Sequence, residues 1–131
     1  MSHRLRALVV IAACLAVGVF VLAYRGPGRA IVRGHLGDLA VAALLYFALA
    51  LAFASKTTVR SRAALVAIVA FSTELFQFVG PSLRRSTLVD LTVGRTFDPW
   101  DLLAYALGIA LAALIDRRWL APVANRAQNP A

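Results

Sequence analysis

The chain has 131 residues, 61% of them hydrophobic and only 15% charged, with a mean hydropathy of +0.78 and a net charge of +8. A soluble domain this small has too little interior to hide so much apolar surface, so composition excludes an ordinary water-soluble globule. The basic residues flank apolar runs instead of lining one face, which argues against nucleic acid and for an anionic lipid surface as their counter-charge.

Four apolar segments, taken in chain order, predict an all-α, integral membrane bundle of four transmembrane helices, at about 7–24, 36–55, 63–80 and 100–116. The whole chain, 1–131, reads as a single transmembrane domain. Arg4 and Arg6 precede the first segment as in a signal peptide, but it ends at Tyr24-Arg25-Gly26 without a small-x-small cleavage site, so a retained helix is expected. Cys14 lies among aliphatic residues of this helix and reads as a small buried hydrophobe. Arg25–His35, with Gly26, Pro27, Gly28 and Gly34, reads as a kinked loop. His3 and His35 read as lone, solvated side chains at opposite ends of the bundle.

Lys56–Arg62 is short, polar and basic, as a tight cytoplasmic turn is. The third segment reaches spanning length only by including Glu74 and Gln77. The linker 81–98 mixes Arg84 and Arg85 with Leu88, Val89, Leu91 and Val93, and is expected to lie on the interface or to re-enter the bundle mouth. Pro99 suits the first turn of the fourth helix, with Asp98 as its N-cap. Trp100 and Trp119 bracket it as interfacial anchors. The fourteen Lys and Arg residues divide eight to six between the two sides, which favours both termini in the cytoplasm of a bacterial plasma membrane.

The acids are one-sided. If the segments zigzag, Asp38, Glu74, Asp98 and Asp101 reach one face, with Asp90 in the loop there, and only Asp116 lies opposite. Carboxylates in or beside hydrocarbon are costly and mark a site or a buried pair. Asp98, Asp101, Tyr105, Gly108 and Ala112 follow helical spacings of one stripe, and Gly108-x-x-x-Ala112 is a small-residue packing seam. Glu74 and Gln77 share a face, and Tyr46 lies eight residues beyond Asp38 on nearly the same face, so three helices can each point carboxylate or hydroxyl groups into one mouth. Arg33, Arg84, Arg85 and Arg95 are close enough in sequence to balance the acids, and Arg33 or Arg95 either does so or holds an anionic headgroup. Asp38, Asp98 and Asp101 also fit a plainer role, as caps and first-turn acids that favour a helix start. Glu74 does not, because it lies near a helix C-terminus, where the macrodipole disfavours a negative charge.

No His/Cys/carboxylate grouping has metal spacing, no glycine-rich phosphate loop comes after a strand, and no Ser-His-Asp set is present, so no cofactor, metal or catalytic residue is assigned. Proton or cation transport would need a relay across the middle of the bundle, and the sequence offers none.

Gly37-Asp38 with Tyr46, then Glu74-Leu-Phe-Gln77, then Gly94-Arg-Thr-Phe97-Asp98-Pro-Trp-Asp101-Leu-Leu-Ala-Tyr105-Ala-Leu-Gly108 resembles a bacterial family of short four-helix membrane proteins catalogued as a domain of unknown function, sometimes under a YjgA-like label. The resemblance covers roughly residues 33–115. The same stretch is more distantly similar to the VanZ-like family linked to glycopeptide-antibiotic tolerance. That likeness maps onto Glu74, Gln77, Arg95, Asp101 and Gly108, with Tyr105 where the family has Asn. It implies an envelope membrane protein.

Asp38, Glu74, Gln77, Asp98, Asp101, Tyr105, Arg33 and Arg95 are therefore the expected ligand-binding set. The expected function is an outward-facing polar pocket for an anionic or lipid-linked envelope component. The alternative is an assembly or scaffold subunit, in which Gly108, Ala112 and the small residues Ala12, Ala16 and Gly18 pack against another membrane protein or a second copy of the chain.

Overall fold

The computed structural model describes residues 2–53, 56–79 and 99–120, with side chains as far as residue 76 in the middle stretch. The expected loop 81–98, with Asp90, Arg84, Arg85, Arg95 and Asp98, lies outside the described residues, as does the side chain of Gln77. Among the described residues the chain is all-helical. Helix α1 is His3–Ala23, α2 is Arg29–Phe53, α3 is Val59–Val79 and α4 is Pro99–Leu120. Three of them, α1, α2 and α4, are long and apolar enough to cross a membrane.

Local chemistry explains each boundary. The Ser2 hydroxyl caps α1 by accepting from the Leu5 N–H at 3.3 Å, satisfying one of the unpaired donors of a first turn. Gly28 turns the chain into α2 with φ +72°, a left-handed conformation that costs glycine nothing. Thr58 and Ser61 open α3 with a reciprocal cap: the Ser61 N–H donates to Thr58 Oγ1 at 3.1 Å, and the Thr58 N–H to Ser61 Oγ at 2.8 Å.

Helix α2 begins seven residues before the expected 36, so most of the predicted kinked loop is helical. The glycines there are accommodated by a widened, π-type stretch at Val32–Leu36. Such a stretch inserts a residue and rotates the side chains beyond it by about 100° around the helix axis. A second π-type stretch, Asp116–Leu120, ends α4 and carries it past the expected 116.

The contacts fix the directions. The start of α1 meets the end of α4 through Arg6 and Trp119, whereas the end of α1 meets the start of α2 through Leu22 and Arg33. His35 and Asp38 on α2 face Asp101 and Tyr105 on α4, and Arg62 at the start of α3 reaches Asp116 near the end of α4. The helices thus alternate in direction, with α2 in the middle and the most buried of the three long apolar helices.

The inner face of α2 is built from small residues: Ala40, Ala42, Ala43 and Ala50 are buried around Tyr46 and Phe47. This lets α4 approach closely. A Cβ on Gly108 would lie 2.5 Å from the Leu39 carbonyl oxygen and 3.1 Å from Ala42 Cβ, so only glycine fits there. Large apolar residues such as Leu15, Phe20, Ile68, Phe71 and Leu107 point outward. Such an outward-facing apolar surface is compatible with a membrane environment.

Candidate functional site

Two polar clusters occupy opposite ends of the bundle. The first is a pair of rungs between α2 and α4. His35 Nδ1 lies 3.1 Å from Asp101 Oδ1, and the Tyr105 hydroxyl donates to Asp38 Oδ1 at 3.1 Å. Each pair stands one turn apart on its helix, His35 with Asp38 and Asp101 with Tyr105, so the rungs stack. Asp38 lies beside Asp101 and within electrostatic reach of Glu74, which α3 delivers to the same end and which is buried to 1% exposure. Asp38, Glu74, Asp101 and Tyr105 therefore meet at one end of the described fold. Gly108 and Ala112 continue the Asp101–Tyr105 stripe of α4 against α2.

One expectation is corrected here. His35 is not a lone solvated side chain, because the widened stretch of α2 brings it onto Asp101. Arg33 Nη2 donates to the Leu22 carbonyl at 2.8 Å, at the exposed end of α1, and among the described residues it forms no ion pair with a carboxylate. Tyr46 does not join Asp38. It shares that helix face but lies eight residues, about 12 Å, deeper, and serves the other end.

That other end holds a buried triad absent from the sequence-based site. Arg62 Nη2 donates to Asp116 Oδ2 at 2.6 Å, and the Tyr46 hydroxyl donates to the same oxygen at 2.8 Å. Arg62 and Asp116 are 5% and 1% exposed, so this is a buried ion pair and not a surface contact. Arg62 Nη1 donates to the carbonyl and the hydroxyl oxygen of Thr57, at 2.9 and 3.0 Å, and its guanidinium lies 5.6 Å from the Tyr46 ring centre. Nearby, Arg6 donates to the Trp119 carbonyl and stacks 5.5 Å from its ring. A signal for the triad was present: Asp116 is the one acid at an end rich in arginine, and an acid flanked by apolar sequence needs a partner.

Among the described residues no group of three or more His, Cys, Asp or Glu side chains can hold a metal ion. Two open grooves run along α1. One, of about 470 Å³, lies between α1 and α2; aliphatic residues and Gly18 line it, and Arg33 and Asp38 stand at one end. The other, of about 520 Å³, lies between α1 and α4, with Arg118 and Trp119 at the opposite end of the bundle.

Residues 28–109, which hold both rungs and Glu74, match the family described as "Protein of unknown function (DUF2809)". The chain belongs to this family. The family description carries no activity and lends nothing to a YjgA-like or VanZ-like label. No curated protein and no solved structure matches the chain.

Proposed function

We propose that the chain is a four-span protein of the bacterial plasma membrane, with both termini cytoplasmic, whose outward recess binds an envelope or lipid-linked component. The observation that carries this reading is the convergence of Asp38, Glu74, Asp101, Tyr105 and His35 at one end of helices built for an apolar medium. Hydrogen-bonding groups held on helices at a membrane surface suit a ligand with a polar head and an apolar tail. The distant VanZ-like pattern on Glu74, Gln77, Arg95, Asp101 and Gly108 points the same way. In the assembly-subunit reading, Gly108 and Ala112 are taken up by packing against α2 within the chain, which leaves the exposed Ala12 and Ala16 and the open Gly18 of α1 as its contact surface.

The test is extraction and mass spectrometry of lipid-linked envelope precursors retained by the purified protein. The parent is expected to retain such a component, and Glu74→Gln and Asp101→Asn to lose it. Equal retention by all three, or none by the parent, overturns the reading.

A further inference from the structure

The groove between α1 and α2 has the length, lining and charge of a lipid site. On α1 it runs from Cys14 to Leu22, and on α2 from Arg33 to Leu44. Those spans are about 12 Å and about 16 Å of helix, close to one leaflet of a hydrocarbon core about 30 Å thick. Gly18 opens it, since a Cβ there would meet nothing within 4 Å. Its walls are aliphatic over most of that length, with Leu15, Val19 and Val41 among them, and the two charged residues stand together at the end where α1 finishes and α2 begins.

The two charges are of opposite sign, which selects the head group. The bond from Arg33 to Leu22 uses one of the five N–H donors of a guanidinium and holds the side chain at the groove's mouth. The remaining donors suit a phosphate. Asp38 lines the groove on one side and accepts from Tyr105 on the other, beside the carboxyl of Asp101. A cation brought to Asp38 therefore meets two neighbouring carboxyl groups, whose ionised forms it favours. The groove between α1 and α4 offers a contrast: Arg118 is its charged lining residue, and it has no acid.

We propose that the α1–α2 groove is a binding site for an aminophospholipid of the surrounding bilayer, with one acyl chain along Gly18, the phosphate on Arg33 and the primary ammonium on Asp38. The site rests on the membrane reading above but not on the recess ligand. Its occupant is a bilayer lipid, and the ammonium adds a cationic partner to the edge of the acidic cluster.

The test uses the full chain in detergent micelles containing equal amounts of phosphatidylethanolamine and phosphatidylglycerol with identical acyl chains, and reads retained lipid by native mass spectrometry. The parent is expected to prefer phosphatidylethanolamine by about tenfold, the worth of one charge-assisted hydrogen bond. Asp38→Asn abolishes that preference while lipid is still retained. Arg33→Gln lowers retention of both lipids.

Gly18→Leu fills the groove from a position with free space and lowers retention of both, with helix content by circular dichroism equal to the parent's. Equal retention of the two lipids by the parent, or parental retention by Gly18→Leu, overturns the proposal. Glu74→Gln leaves phospholipid retention at the parent's level. Loss of the envelope component in that variant alone, and of phospholipid in Gly18→Leu alone, separates the two sites.

Discussion

Replacing Asp116 by Ala removes the acceptor shared by Arg62 and Tyr46 and leaves a guanidinium that is 5% exposed without its counter-charge. Two unit charges about 4 Å apart attract by about 4 kcal/mol at an effective dielectric near 20, and breaking a buried pair costs about 3–5 kcal/mol. Arg62 keeps both bonds to Thr57, so the expected loss is at the lower end, about 3 kcal/mol. Tyr46→Phe removes one hydroxyl bond to the same oxygen and is expected to cost about 1 kcal/mol, since hydrogen bonds within membrane proteins average about 0.6 and reach about 1.7.

The triple change Arg62→Met, Asp116→Val, Tyr46→Phe removes every charge and unpaired hydroxyl together. It is expected to recover to within about 1 kcal/mol of the parent, because a well-packed apolar replacement of a buried ion pair is often neutral. The assay is equilibrium unfolding by sodium dodecyl sulfate in mixed micelles, monitored by circular dichroism. A loss below about 1 kcal/mol in Asp116→Ala, or a triple variant no more stable than Asp116→Ala, refutes the assignment of a buried, mutually dependent triad.

Packing and topology give three further expected outcomes. Gly108→Ala drives a methyl against the Leu39 carbonyl and should destabilise by about 1–3 kcal/mol in the same titration, the usual cost of overpacking. Tyr105→Phe keeps the ring and removes the donor to Asp38, so stability should fall by about 1 kcal/mol. In a Cys14→Ala background, Arg25→Cys and Trp100→Cys should react with an impermeant thiol reagent from one side of the membrane and Lys56→Cys from the other. Labelling of all three from the same side contradicts the alternating directions of the helices.

Much of the fold is legible in the sequence, because hydrophobic segment length and flanking charge are local properties. The helical class, the spanning character of three helices and the start of α4 within a residue of the expected 100 come from those alone. The start of α2 differs because Gly26, Pro27, Gly28 and Gly34 signal a loop, while packing against α1 and α4 holds Arg29–Leu36 helical through a widened stretch. Tyr46 lies apart from Asp38 because periodicity reports a helix face but not a depth: residues eight apart share a face and still lie about 12 Å apart along the axis.

Which polar groups meet was a tertiary decision. His35 reaches Asp101 across 66 positions, and Arg62 reaches Asp116 across 54. No local pattern encodes such separations; they arise when α4 seats on the alanine face of α2 and α3 closes beside both. Composition determined that the costly charges must be few and must be matched. Only the packing of the four helices chose their partners, because an ion in an apolar medium is stabilised by whichever opposite charge the fold brings within hydrogen-bonding distance.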